Sequence, residues 1–323
     1  MDAGERSDGR EDATSRLHVV VVGAGRMGAD IALAFAIGGW RCKVVESDPA
    51  IRDRARAYWQ REMSRLAENL GGGTIACHAS LGDADLPAAD LVVEAVFEDL
   101  ELKHALLDEI EPRVGPGAIL ATNTSSLRIT DVTSRLKLRE RSAGLHFMVP
   151  AHVMPAVEIT RGDHTSDRTM AQLVSWMKQM EKVPIVLDRD ITGMLINRIQ
   201  HAMYREIYHL IDEGYACPQM VDLAVRFGFG LRYHILGPVV SRDIHGLPVH
   251  LAASREIYPT LHNGSEPSRR LRELVEDGHR GVTTGKGFYE WDPDTVPDRL
   301  KRFSELLEET IARMTRRGEP TEF

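Results

Sequence analysis

The run Leu17-His18-Val19-Val20-Val21-Val22 leads straight into Gly23-Ala24-Gly25-Arg26-Met27-Gly28, after which Ile31, Leu33, Ala34 and Ala36 continue the chain as a buried helix. This succession constrains the fold more than any other feature, because each glycine meets a separate steric demand. Gly23 permits a tight turn, Gly25 lets a ligand come up against the backbone, and Gly28 lets the helix pack closely on the strand. The unpaired N–H groups in the first turn of such a helix favour a phosphate. The stretch therefore predicts a βαβ unit opening a parallel sheet, with an anion site at its first crossover.

The next strand-like run, Arg41-Cys42-Lys43-Val44-Val45-Glu46, ends in an acid eighteen residues beyond Gly28. A carboxylate there accepts hydrogen bonds from both hydroxyls of an adenosine ribose and repels a 2′-phosphate, so the expected cofactor is NAD. Arg41 and Lys43 precede the acid and make no phosphate pocket. The cofactor-binding set from this stretch is Gly23, Ala24, Gly25, Arg26, Met27, Gly28 and Glu46.

From Leu17 to Asp188, short β-rich runs alternate with amphipathic stretches, the order that produces a mainly parallel sheet. Strands are expected near 17–22, 41–46, 74–77, 91–96 and 118–122. Further runs at 143–147, 155–161 and 183–188, punctuated by Pro150, Pro155 and Pro184, predict a partly antiparallel extension of that sheet. The glycines 71–73 mark a turn. The segment Asp188-Arg189-Asp190-Ile191-Thr192-Gly193 is polar and ends in glycine, and strand-like runs nearly vanish beyond it. Ile196, Ile199, Met203, Ile207 and Leu210 then recur at spacings of three and four, the apolar stripe of a long helix. The expected fold class is α/β, a Rossmann-like N-terminal domain at 15–190 and a mostly α-helical C-terminal domain at 191–323, after a polar, disordered tail at 1–14.

Composition removes several function classes. A formal net charge of −8 argues against a nucleic-acid partner, which needs concentrated basic surface to displace counterions. With 43% apolar residues, the chain has no run near the about 18 apolar residues of a membrane span. Cys42, Cys77 and Cys217 are widely separated, supporting neither a disulfide framework nor a zinc site, and a reducing cytoplasm is the simple setting. No H-E-x-x-H occurs, so no metal is expected, and Thr284-Gly285-Lys286-Gly287 lacks the spacing of a phosphate loop.

Two stretches carry candidate chemistry. Asn123-Thr124-Ser125-Ser126-Leu127 follows the strand-like run Ala118-Ile119-Leu120-Ala121, at the carboxyl end of a strand where open α/β sheets bind ligands. A hydroxyl there can donate to a substrate oxygen, and it can equally cap the run Leu127-Arg128-Ile129-Thr130. His146 and Glu158 lie on neighbouring apolar runs joined by a proline-bearing loop, a hairpin that can bring them face to face. Imidazole, with an unperturbed pKa of about 6.5, can take a hydroxyl proton near neutral pH. A carboxylate on its other nitrogen would fix the tautomer and stabilise the imidazolium. Taken singly, a histidine or glutamate is more often structural or solvated.

Six motifs in register, Gly23-Ala24-Gly25-Arg26-Met27-Gly28, Glu94-Ala95-Val96-Phe97-Glu98, Asn123-Thr124-Ser125-Ser126-Leu127, Gly144-Leu145-His146-Phe147 with Glu158, Gly193-Met194-Leu195-Ile196-Asn197-Arg198 and Gly285-Lys286-Gly287-Phe288-Tyr289, give the chain a pattern that resembles the 3-hydroxyacyl-CoA dehydrogenases over roughly Val19 to Trp291. The resemblance implies His146 as catalytic base and Glu158 as its orienting partner, with Ser125 and Asn197 around the reacting oxygens. It extends the cofactor set to Glu98, Lys103 and Asn123. It further implies reversible hydride transfer between NAD and the 3-hydroxy group of a 3-hydroxyacyl-CoA, a place in fatty acid metabolism, and a homodimer built on the helical domain.

Two positions depart from that pattern. Val149 replaces an asparagine in H-F-x-N-P, which would leave a buried partner of that amide unsatisfied, and Thr283 replaces a lysine before T-G-x-G-F-Y. These departures keep open an alternative, a dehydrogenase of a secondary alcohol not carried on CoA, such as carnitine, gulonate or a pyridine-derived compound. A non-catalytic NAD-binding sensor is a second alternative. The arginines 52, 54, 56, 61 and 65 can meet CoA phosphates or form a solvated helix face.

The placement of Glu46 predicts a higher kcat/KM with NAD than with NADP, and equal efficiency with the two cofactors would refute it. Glu46→Ala should weaken NAD binding by roughly 1.5–3 kcal/mol, the contribution of one charge-assisted hydrogen bond.

Overall fold

A computed structural model describes residues 17–66 and 72–316; the expected tail at 1–14 and Gly71 lie outside the described residues. The chain divides into two compact units, the first ending at Ile196 and the second beginning at Asn197.

Unit 1 is built on one eight-stranded sheet in the order β3-β2-β1-β4-β5-β6-β7-β8. The strands are β1 His18–Val22, β2 Arg41–Val45, β3 Thr74–His78, β4 Leu91–Glu94, β5 Ile119–Thr122, β6 Ser142–Phe147, β7 Ala156–Thr160 and β8 Val183–Leu187. Pairing is parallel from β3 through to β6, β7 runs antiparallel to β6, and β8 is parallel to β7. The antiparallel step falls where the prolines interrupt the sequence pattern.

The unbroken valine run of β1 reflects burial on both faces. Val19 and Val21 point into one apolar layer and Val20 and Val22 into the other, the two-residue period of a strand. The helix α1 (Arg26–Ile37) belongs to the first layer and is buried from Gly28 to Ala36, which its small residues allow. Phe35 packs edge-on against Trp40 and against Phe147 of β6, so the helix after the glycine turn is seated on the strand that carries His146. The helix α2 (Pro49–Arg65) starts where Asp48 accepts hydrogen bonds from the amides of Ala50 and Ile51, with proline in the first helical position. On the opposite face, α3 (Leu100–Ile110) contributes Leu107 and Ile110, and the short α4 (Ile129–Val132) contributes Val132. The helix α5 (Asp167–Gln179) returns to the first face, bringing Trp176 edge-on to Trp40.

Unit 2 is helical: most of α6 (Ile196–Asp212), then α7 (Pro218–Leu223), a π-helical turn at Ala224–Gly230, α8 (Leu231–Leu236), α9 (Pro238–His245), α10 (Leu247–Ile257), α11 (Arg269–Glu276) and α12 (Val296–Arg316). The carboxylate of Asp212 at the end of α6 accepts from the Ser268 hydroxyl and the amides of Arg269 and Arg270, fastening the start of α11. Phe288 stacks flat on Tyr208 with ring centroids 5.4 Å apart, which holds the Gly285–Tyr289 segment to α6. Among the described apolar residues of unit 2, only Val221, Leu274 and Val296 are buried, while Ile199, Phe227, Leu231 and Ile235 are each at least 59% exposed. No described helix is long and apolar enough to cross a membrane.

Candidate active site

The glycine turn meets the demands read from its sequence. Gly23 has φ +100°, and a Cβ placed there would come within 2.7 Å of the Ala95 carbonyl oxygen. A Cβ on Gly28 would lie 1.9 Å from the Gly23 carbonyl oxygen, so only glycine lets α1 fold back this closely. Gly25 differs: a Cβ there meets nothing within 4 Å, and Gly25 and Arg26 are exposed. No side chain caps the start of α1, so its first amides are left for a ligand. Just past β2, Glu46 accepts hydrogen bonds from the amides of Ala24 and Asp48, each at 3.0 Å. An open approach at Gly25, an uncapped helix start and a carboxylate beside the turn fit NAD.

A second group of charges lies under the loop after β5. Glu94, buried at the end of β4, accepts from the Val96 amide, from the Thr122 hydroxyl at 2.7 Å and from the Lys103 ammonium at 2.8 Å. Lys103 is 1% exposed and its ammonium also lies 3.3 Å from Glu98. One oxygen of Glu98 accepts from the Thr124 hydroxyl at 2.6 Å, the amides of Ser125 and Ser126 at 2.9 and 2.8 Å, and both serine hydroxyls. Burial pushes the Glu98 carboxyl up, but these hydroxyls and amides and the Lys103 charge outweigh it and hold the pKa at about 2. Lys103 thus supports Glu98 from beneath, and Glu98 binds the loop that presents Ser125. Both readings of that loop find a place: Thr124 accepts the Leu127 amide as a cap would, while Ser125 remains at the surface. Asn123 uses its side-chain oxygen to accept the Phe147 amide at 2.9 Å, joining the end of β5 to the residue after His146.

His146 and Glu158 lie directly opposite each other in the β6–β7 pairing. The Nδ1 atom of His146 is 2.8 Å from one oxygen of Glu158, and the other oxygen accepts the amides of Leu195 and Ile196 at 2.9 and 2.8 Å. Burial raises the Glu158 pKa, but the hydrogen bonds from His146, Ile196 and Leu195 outweigh it and the net shift is downward. An ionised Glu158 accepts a hydrogen bond from the Nδ1–H of His146, which leaves Nε2 with its lone pair as the proton acceptor. The segment supplying the two amides is itself fastened: Gly193 donates to the Ser126 carbonyl, and Asp190 accepts from the Thr130 amide and from Arg128. His146, Glu158, Asn123, Ser125, Glu98 and Lys103 are therefore linked within unit 1. Asn197 is the first residue of unit 2, half-buried in the first turn of α6.

Val149 is 47% exposed, so the residue that departs from asparagine is itself not buried. The Thr283 hydroxyl donates to the Arg280 carbonyl within unit 2. On α2, Arg52 donates to the carbonyls of Glu46 and Ser47, Arg56 to that of Cys77, and Arg61 and Arg65 to Glu62. Sequence reasoning overlooked Glu94, although it stands in a quoted motif, and also Asp30, Tyr58, His152 and Lys182. A single acid in the otherwise apolar stretch Gly28–Ala36 of α1 is the signal that could have found Asp30.

A nucleotide-binding α/β unit with a histidine–carboxylate pair at the end of its sheet defines a class of dehydrogenase, and comparison with known proteins specifies the family. The family model "3-hydroxyacyl-CoA dehydrogenase, NAD binding domain" matches residues 18–191, and "3-hydroxyacyl-CoA dehydrogenase, C-terminal domain" matches residues 193–291. The chain belongs to the 3-hydroxyacyl-CoA dehydrogenase family and is an NAD-dependent oxidoreductase of that fold. It is 27% identical to the 5-formyl-3-hydroxy-2-methylpyridine 4-carboxylate 5-dehydrogenase of Mesorhizobium japonicum, over 86% of this chain and 91% of that protein. A crystal structure of a dehydrogenase of that name, described as an NAD-dependent dismutase, superposes with a TM-score of 0.86 at 26% identity, covering 94% of this chain and 100% of the other. The (S)-3-hydroxybutyryl-CoA dehydrogenase of Ralstonia eutropha gives a TM-score of 0.69 at 33% identity, covering 86% and 100%.

The two glycines should separate stability from binding. Gly28→Ala should lower the melting temperature, since overpacking of this kind costs about 1–3 kcal/mol or more. Gly25→Ala should leave the melting temperature of the cofactor-free protein unchanged while weakening NADH binding in a fluorescence titration. The reverse ranking would overturn the placement of the pyrophosphate at Gly25.

Proposed function

We propose that the protein is an NAD-dependent dehydrogenase of a small alcohol not carried on coenzyme A, with His146 as general acid–base and Glu158 as its orienting anion. The observation that carries the chemistry is the engagement of Glu158 on both oxygens, by His146 on one side and two amides on the other. In the oxidative direction Nε2 of His146 removes the hydroxyl proton, and the Glu158 charge stabilises the imidazolium that results. Bound NAD supplies the hydride acceptor. Ser125 and Asn197 hold the reacting oxygen, Glu46 binds the ribose diol, the first turn of α1 receives the pyrophosphate, and Asn123 and Glu98 shape the cofactor's side of the site. In the reverse direction the imidazolium returns its proton to the substrate oxygen.

Two observations favour a substrate without coenzyme A. Four of the five arginines of α2 have partners within this chain, the arrangement of a polar helix face, with no convergence of the five on one phosphate site in the contacts they make. The likeness to the dehydrogenase of a formyl-bearing pyridine carboxylate extends over more of the chain, at a higher TM-score, than that to the hydroxybutyryl-CoA enzyme. Pyridine-derived compounds are accordingly the first substrates to try. A panel of these compounds, carnitine, gulonate and 3-hydroxybutyryl-CoA, each with NAD, tests the reading; turnover confined to the CoA thioester would overturn it. NADH binding without turnover on any compound would instead favour a sensor.

In the same reading the protein works in the cytoplasm as a homodimer formed through unit 2, whose helices leave large apolar side chains uncovered in one chain. A monomeric mass at micromolar concentration would count against the dimer. His146→Gln should reduce turnover by roughly 10²–10⁴-fold with NADH affinity almost unchanged. Glu158→Gln should act in the same direction, because an amide can hold the ring but cannot stabilise the imidazolium as a carboxylate does. Near wild-type turnover by His146→Gln on every accepted substrate would sink the mechanism.

A further inference from the structure

Asp30 is the one charged residue in the buried stretch of α1, two positions beyond Gly28, and it is 5% exposed. One of its oxygens accepts the Ala151 amide at 2.7 Å. The other accepts Nδ1 of His152 at 2.7 Å and the hydroxyl of Tyr58 from α2. Lys182, between α5 and β8, reaches the same loop from another side and donates to the carbonyls of Ala151 at 2.7 Å and Met154 at 2.9 Å. Burial pushes the Asp30 carboxyl up, yet the bonds from His152, Tyr58 and Ala151 outweigh it and the group stays an anion. The Lys182 ammonium is lowered to about 8 by burial, with Asp30 opposing the fall.

Ala151, His152 and Met154 belong to the loop of residues 148–155, which joins the strand of His146 to the strand of Glu158. A buried carboxylate is costly where an alanine would pack, so α1 packing alone does not account for Asp30. What it does is join the helix whose first turn faces the cofactor to the connection between base and orienting anion. We propose that Asp30 is a positioning residue, clamping the 148–155 loop to α1 so that the cofactor end of this helix and the His146–Glu158 pair hold one relative position. This rests on the reading of His146 as the base.

The test compares full-length Asp30→Ala, Asp30→Asn, His152→Ala and the double variant Asp30→Ala/His152→Ala by steady-state kinetics, NADH titration and amide hydrogen exchange. Asp30→Ala should speed exchange at Ala151, Val153 and Met154 by roughly tenfold or more, the sign of a loop released from the fold. It should lower kcat per NADH-binding site by roughly 10- to 100-fold, the scale of a misplaced catalytic geometry. Asp30→Asn keeps an oxygen for the Ala151 amide and should recover part of that loss. The double variant should be no worse than Asp30→Ala within about twofold, because both changes break one connection. Unchanged exchange in Asp30→Ala overturns the clamp. Faster exchange with kcat per site within about twofold of wild type also overturns the proposal, since it would make Asp30 structural only. If Asp30→Ala does not fold, Asp30→Asn and His152→Ala decide by the same two readouts. Should His146→Gln retain turnover, the assignment of the base falls, whereas a loss of kcat with faster exchange in the Asp30 variants still supports the clamp.

Discussion

A carboxylate removed from water inside a folded unit must be given back nearly all the stabilisation that water supplied, and Glu158 is such a group. Its donors come from two places: the imidazole directly opposite on β6, and the amides of Leu195 and Ile196, 37 and 38 residues along the chain. Because the carboxylate needs all three, it holds the histidine strand and the segment entering α6 in a common geometry. Removing one partner of a buried pair of this kind typically costs about 3–5 kcal/mol. The same bonds that make the burial tolerable also choose the histidine tautomer, so the fold and the chemistry depend on one interaction.

The charges around the loop after β5 follow the same logic with a different outcome. Glu94 and Lys103 neutralise each other inside the unit, and the second carboxylate, Glu98, gathers the hydroxyls and amides of residues 124–126. Five donors of this turn lie within hydrogen-bond distance of a single Glu98 oxygen. A surface serine is thereby held by Glu98, which is itself paired with the buried Lys103. Unit 2 contrasts with this: its helices are joined by local polar fastenings such as Asp212 with the start of α11, while much apolar surface stays uncovered in one chain.

What could be read from the residues alone is what short-range sterics and periodicity determine. The glycine turn, the eight strands, the two-residue alternation of β1, the helical character after Gly193, and the pairing of His146 with Glu158 all follow from patterns contained within a few residues or one hairpin. Tertiary structure alone decided which charges meet across long separations. Asp30 finds His152 122 residues away, Arg128 finds Asp190 62 residues away, and Glu158 finds the amides that complete its shell. It also decided that Lys103 faces inward and that Val149 faces water. A backbone turn is constrained by atoms a few bonds apart, whereas the partner of a buried charge is set by which segments the folded core brings together, and no local pattern encodes that meeting.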